Sequence, residues 1–361
     1  MNKKATKFVA VLAASATMYV VNHARAADTN GAEPYPWDKR PKECFVVPTP
    51  ERQECAADNW PGFDATWRQI AYLYVNGKFD LLERAMRELA ASDRTYMDGR
   101  SATGGVYEAF KRLMPADGSG TPPPYGDQLA RWHSSRPASI FLPFADARNA
   151  YASAWAARGT GYAPSVSPES WQLFAERLQE AERILIDAPT ELKDLPYWHR
   201  LMLAVTLDEA KPQNPPQKIF EDAVRRWPRD AAFYEVMLTR LGPKWGGSWQ
   251  GVEQFIRYWS EQTAASEGSA LYARLYISIL DQGVTPEQTR MDWGRMKEGF
   301  QDLIRRYPHW RYKNLYASYA CYARDKETFN TALRRMGKSE IDPNLWLSGH
   351  SYDACIRWAA I

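Results

Sequence analysis

From Phe63 onward, apolar residues recur every three or four positions, a period that only the α-helix turns into one continuous face. Trp171, Phe174, Leu178, Ala181 and Ile184 form one such face. Trp249, Val252, Ile256 and Trp259 form a second, and Trp293, Met296, Phe300, Leu303 and Tyr307 a third. Asn76-Gly77 could turn a hairpin. Because Phe79, Leu82, Ala85, Met86 and Leu89 follow it at helical spacing, it reads as a joint between two helices. Start signals accompany the faces: Ser167-Pro168-Glu169, and Thr285-Pro286-Glu287-Gln288 with a cap residue, a first-turn proline and a capping-box glutamine. Strand patterns are nearly absent, so the chain is expected to be all-α.

The helices are punctuated. Pro189, Pro228 and Pro308 each follow one apolar helix and precede another. The gaps are 39 and 80 residues, and Ser266-Glu267-Gly268-Ser269 falls where an intermediate break belongs. Ala223-Val224-Arg225-Arg226-Trp227-Pro228 and Leu303-Ile304-Arg305-Arg306-Tyr307-Pro308 are visibly alike. A rhythm near 40 residues fits a tetratricopeptide-like α-solenoid of stacked helix pairs better than an irregular bundle, which needs no period.

Ahead of the helices, residues 1–26 read as a secretory signal peptide. Lys3, Lys4 and Lys7 precede an uncharged stretch from Phe8 to Val21, and Ala24-Arg25-Ala26 places cleavage after Ala26. The stretch is shorter than the roughly 20 apolar residues of a membrane span, and no later segment reaches that length. The alternative is an uncleaved anchor. Lys3, Lys4, Lys7 and Arg25 also account for the formal charge of +3, since 42 basic and 43 acidic residues remain without them. A nucleic-acid or acidic-membrane partner is not expected from that balance. The mature protein is expected in the periplasm or outside the cell.

Residues 27–61 contain Pro34, Pro36, Pro41, Pro48, Pro50 and Pro61, a density that excludes a helix and leaves an extended arm. Residues 62–361 form the helical domain. Cys44, Cys55, Cys321 and Cys355 make an even set in an oxidising compartment. Three connectivities are open; the most economical joins Cys44 to Cys55 and Cys321 to Cys355, against the alternative that Cys321 is a buried thiol. Neither a CxxC nor a histidine pair at ligand spacing is present, so no metal is expected.

Several local patterns together resemble a bacterial family of exported proteins, the one containing the domain of unknown function 4034. They are Trp132 with Pro137 and Ser139; Ala154-Trp155-Ala156-Ala157-Arg158-Gly159-Thr160-Gly161-Tyr162; Trp171 to Phe174; Pro243-Lys244-Trp245-Gly246-Gly247-Ser248; and Asn314 with Ala317-Ser318-Tyr319-Ala320-Cys321 and Asp325. The resemblance covers most of residues 60–340 and implies a helical, tetratricopeptide-like fold. It implies no activity. The arm and the stretch after Gly337 lie outside it.

The sequence contains no GxSxG, HExxH, Walker GK[ST] or GxGxxG pattern. Ser348, His350 and Asp353 are neighbours in the chain, but a catalytic triad is assembled by tertiary geometry and not by proximity in sequence. His199, among Trp198, Leu201 and Met202, reads as a satisfied histidine at a helix interface. The segment Trp132–Tyr162 offers His133, Arg136, Ser139, Asp146, Arg148, Trp155 and Arg158. Its plain reading is helix capping, with Arg158 offsetting the macrodipole and Gly159 in a left-handed position. Its functional reading is a groove in which an arginine fork holds an acidic group beside indoles. Gly242 to Ser248 similarly reads either as a connection capped by Ser248 or as a ligand loop.

Fifteen tryptophans and twenty tyrosines mostly suit the thin core between paired helices, while exposed ones suit binding hot spots. The leading expectation is an exported scaffold that binds a protein or peptide in the cell envelope without cofactor or catalysis. Trp132, Arg136, Ser139, Trp155, Arg158, Trp245 and Ser248 are its candidate contacts. The alternative is a hydrolase or glycan-processing enzyme working through carboxylates such as Glu83, Glu88 and Asp146.

Overall fold

A computed structural model describes residues 62–91, 95–114, 127–159 and 161–360. The leader, the proline-rich arm and the Cys44–Cys55 pairing lie outside the described residues. Those residues form 17 helices and no strand; one isolated antiparallel bridge joins Thr95 and Ser101. The chain is all-α. None of the described helices is long and apolar enough to cross a membrane.

The helical part divides into two compact units, the first ending at Gly246. Unit 1 contains α1 (Gly62–Val75), α2 (Phe79–Ala90), α3 (Gly104–Leu113), α4 (Asp127–Ser135) and α5 (Leu142–Arg158). It continues through α6 (Pro168–Ile186), the single turn α7 (Thr190–Lys193), α8 (Pro196–Asp208), α9 (Pro216–Arg226) and α10 (Ala231–Leu241). The main packing partners are α1 with α3, α5 with α6, and α8 with α9. Its core is aromatic. Trp132 stacks on Phe79 at 5.5 Å, Phe110 meets Phe144 edge-on at 5.3 Å, and Tyr197 lies 5.7 Å beyond Phe144. Most of the aromatic content of this unit therefore supplies buried area to helix contacts.

Unit 2 contains Met97–Gly99 together with α11 (Trp249–Gln262), α12 (Ala264–Glu267), α13 (Ala270–Leu280), α14 (Trp293–Arg306), α15 (Trp310–Tyr322), α16 (Lys326–Arg334) and α17 (Tyr352–Ala360). Its tightest pairs are α13 with α14 and α15 with α16. Gly299 makes the first possible, because a β-carbon there would lie 2.9 Å from both the Ala273 side chain and the Ser269 carbonyl.

The sequence faces became buried faces. Phe174, Leu178, Ala181, Met296, Phe300 and Leu303 are all buried, while Ile184 is half-exposed and Leu185 takes the core position beside it. The proline punctuation has a common geometry. Trp227 and Tyr307 leave the helical region with φ/ψ of −130°/65° and −128°/82°, and each still donates its N–H to the carbonyl four residues back at 2.8 Å. The proline that follows disfavours helical dihedrals in its predecessor, so the helix stops one residue early. Met114, ahead of Pro115, adopts −126°/70°. This third instance was not singled out from the sequence. Pro189 works differently, as the N-cap of the single turn α7.

Two start signals resolve differently from each other. Ser167 caps α6 as expected, accepting from the Ser170 N–H at 3.2 Å. The Thr285–Gln288 box forms too, with the Thr285 N–H on Gln288 Oε1 at 2.8 Å, but it closes only a 3₁₀ turn over Pro286–Gln288. The long helix begins at Trp293, capped by Asp292, which accepts from the Arg295 N–H at 2.8 Å.

The stretch after Gly337 packs on α15. Asn314 donates to the Glu340 carbonyl at 2.7 Å and accepts from the Asp342 N–H at 2.9 Å, while Ser318 Oγ accepts from the Leu347 N–H at 2.9 Å. These bonds give Asn314 and Ser318 a structural use. Cys321 and Cys355 are disulfide-bonded, with Cα atoms 5.8 Å apart, amid Phe329, Trp346 and Met336. With a sequence separation of 34, this cross-link restricts the unfolded chain by about 3–4 kcal/mol. Peptide mapping without reduction should find neither thiol alkylated. Replacing both with alanine should lower the unfolding free energy of unit 2 by that amount, read as a lower urea midpoint; an unchanged midpoint refutes the assignment of that role.

Candidate functional site

The Trp132–Tyr162 segment separates into three constructions, the first two of them partnered from within the fold. The first ties α4 to α2. Trp132 is wholly buried and its Nε1–H donates to Glu83 Oε1 at 2.9 Å; Arg136 Nε donates to the same oxygen at 2.9 Å, and its Nη1 binds Asp80. The arginine fork does hold acidic groups, but they belong to this chain. Ser139 Oγ accepts from the Phe141 N–H at 3.2 Å in the turn before α5. His133 pairs with Asp146 at 2.9 Å and Glu88 with Arg84 at 2.8 Å.

The second construction centres on Asp208, the last residue of α8. Tyr151 Oη donates to its Oδ2 at 2.7 Å, Trp155 Nε1 at 3.1 Å, and Arg240 binds the other oxygen. Trp245 covers that guanidinium, with Cζ 3.7 Å from its ring centre. Burial pulls the pKa of Arg240 down to about 10, which leaves it charged at neutral pH. Burial also pushes the Tyr151 phenol up, opposed by the nearby Arg240. Asp208 escaped the sequence reading, although a signal existed. Asp208-Glu209 sets two acids at a helix C-terminus, where the macrodipole opposes them, so a compensating cation had to be found elsewhere.

Third, Arg158 closes the end of α5. Its Nη1 donates to the carbonyls of Gly159 at 3.0 Å and Gly161 at 2.6 Å, just past the helix as the capping reading expects. Gly159 has positive φ, 72°, but ψ is −175°, so it extends the chain and does not adopt the left-handed helical cap. Trp155 and Trp171 flank the guanidinium. Arg158 Nε and Nη2 are buried without a hydrogen-bond partner. Lys244 has its pKa lowered by burial and then by Arg158. Ser248, in unit 2, caps α11 by accepting from the Gly251 N–H at 3.1 Å.

His199 sits between the Trp198 and Trp227 rings, 5.0 Å from each, with Nδ1 3.3 Å from the Leu195 carbonyl. Burial lowers its pKa, which keeps the ring neutral. His350 packs edge-on against Tyr322 at 5.3 Å, and no hydrogen bond among the described residues joins its ring to Ser348 or Asp353. Among the described residues, no three His, Cys, Asp or Glu side chains gather as metal ligands would.

Open surface lies elsewhere. In unit 2 a groove of about 300 Å³ runs between α14, α15 and α16. Ile304, Tyr316 and Ala332 supply apolar surface, with Lys297, Lys313 and Arg335 among its other lining groups. Lys297 is paired with Asp325 at 3.0 Å and Lys313 with Glu340 at 2.5 Å. Arg335 is exposed and has no ion pair among the described residues. Asp325 anchors the groove's end by accepting from the Thr328 N–H and hydroxyl, Lys297 and the Trp293 indole, and these hydrogen bonds outweigh desolvation to hold its carboxyl well below the usual range. α14 and α16 carry apolar periodicity on one side, α15 is buried almost all round, and nothing in these patterns marks where the three helices form a groove.

No family model, curated protein or solved structure matches this chain.

Proposed function

We propose that the chain is an exported helical-repeat scaffold that binds an extended segment of another protein in the cell envelope, using the α14–α16 groove. The observation that carries this reading is a cleft with apolar surface at Ile304, Tyr316 and Ala332 beside an exposed cation, Arg335, that forms no ion pair among the described residues, although Glu327 also lines the cleft. An extended segment with one apolar side chain for the cleft and one carboxylate for Arg335 fits those groups. α15 already holds irregular backbone, through hydrogen bonds that join Asn314 and Ser318 to the chain's own residues 340, 342 and 347. The repeated helix break before proline supports the further reading that helix pairs stack as a tetratricopeptide-like solenoid. Membership of the exported family carrying the domain of unknown function 4034 belongs to the same proposal, as does the cleaved leader.

A photoreactive phenylalanine analogue at Gln301, in the groove, tests it against the same analogue at Arg257 on α11. Irradiation of exporting cells should give one discrete cross-linked species from Gln301 and none from Arg257, and Arg335→Glu should abolish it. Identical products from both positions would sink the reading.

A further inference from the structure

Unit 1 contains an open hollow of its own, unrelated to the groove. It lies between the packed helices α5 and α6 and has a volume of about 350 Å³. That falls within the roughly 300–1,000 Å³ of small-molecule sites. Asp146, Asn149 and Ser153 line it from α5, and Arg177, Glu180 and Ile184 from α6. Each set recurs at three- and four-residue steps, so each forms one stripe of its helix.

Two opposite charges in the hollow remain unpaired. Arg177 Nη1 donates to the Ser153 carbonyl at 2.6 Å, and neither Arg177 nor the exposed Glu180 forms an ion pair among the described residues. They stand three residues apart, a spacing that closes into ion pairs at Asp222–Arg225 and Asp302–Arg305. On α6 the basic residue comes first, the weaker order, and the α5 carbonyl holds the guanidinium across the cleft. Their neighbours are engaged locally, Gln172 with Glu176 at 2.7 Å and Arg183 with Asp187 at 3.5 Å. The Asn149 amide and the Ser153 hydroxyl make no hydrogen bond among the described residues. Asp146 is already held by His133 at 2.9 Å. Ser153 lies two helical turns further on, a rise of about 10 Å, so that histidine–aspartate pair does not activate it and the hollow reads as a binding site.

We propose that the α5–α6 hollow binds a small zwitterion with an apolar side chain, a free α-amino acid or a very short peptide. Arg177 takes its carboxylate, Glu180 its ammonium and Ile184 its apolar side chain, while Asn149 and Ser153 supply further hydrogen bonds. A zwitterion satisfies both charges at once, whereas a lone anion or cation leaves one of them unmet and faces its like charge.

The test is a ligand-detected NMR titration of the whole chain with L-leucine, leucyl-leucine, 3-methylbutylamine and 4-methylpentanoate. The last two are leucine without its carboxylate and leucine without its ammonium. Leucine or leucyl-leucine should bind saturably and at least tenfold tighter than either truncated ion; the tighter of the two separates amino acid from peptide as the source. Glu180→Gln, at an exposed position, should erase the preference over 4-methylpentanoate. Arg177→Gln should erase the preference over 3-methylbutylamine, and if loss of the Ser153 anchor unfolds it, Glu180→Gln decides alone. No saturable binding of either zwitterion, equal binding of the truncated ions, or an unaltered preference in Glu180→Gln overturns the proposal.

Discussion

Asp208→Ala is expected to lower the stability of unit 1 by about 3–5 kcal/mol, the cost of leaving a buried guanidinium without its counter-ion. Asp208 is 5% exposed, and the Arg240 side chain, 17% exposed, is largely enclosed beside it. Truncation strands three donors at once: Arg240, the Tyr151 hydroxyl and the Trp155 indole N–H. Each orphaned donor carries its own desolvation penalty. Arg240→Met alone leaves Asp208 with its two neutral donors, so it should cost less. The double variant Asp208→Ala/Arg240→Met should recover part of the loss, because removing both charges is milder than removing one. Urea midpoints followed by tryptophan fluorescence measure all three. If Asp208→Ala costs under about 1 kcal/mol, the pair is not the buried, closed contact described here.

This hub also shows which parts of the structure were legible in sequence. Helices were, because a period of three to four is a local property and each apolar face had only to find some partner. Breaks at Trp227 and Tyr307 were, because a proline acts on the residue beside it. The Cys321–Cys355 bridge was one of three open connectivities, and the fold selects it by packing α17 onto α15. Partnerships between side chains were not legible. Arg136 and Trp132 meet Glu83 across 53 and 49 residues, and Asp208 meets Arg240 across 32. No periodicity encodes such pairings. Residues grouped because they are neighbours in sequence, such as Arg136 and Arg158, therefore serve different constructions, and the groove around Arg335 arises from helix faces with no motif of their own.

A pairing of the same long-range kind sets the pH dependence of unit 1. Glu209, just past α8, meets Glu182 of α6 in the interior, and both are buried. Glu182 oxygens accept the backbone N–H groups of Gln213 at 2.9 Å and Asn214 at 3.1 Å, which fixes that carboxyl in place. Burial first, and then the hydrogen bond and charge of Glu182, push the pKa of Glu209 up to about 8. An unfolded glutamate releases its proton near 4.5, so between that pH and about 8 the folded chain binds the extra proton. Stability from this pair is therefore fully present below pH 4.5, declines as pH rises, and is lost above 8. The total change is on the order of 2–4 kcal/mol. Glu209→Gln keeps the shape and a hydrogen-bond donor but removes the titration. Its stability should match the wild type near pH 4.5, exceed it progressively toward pH 8.5, and show no slope from this site. Chemical unfolding across that range reads the difference directly. A variant less stable than the wild type at pH 8.5 would mean that Glu209 does not hold its proton in the folded chain across that range.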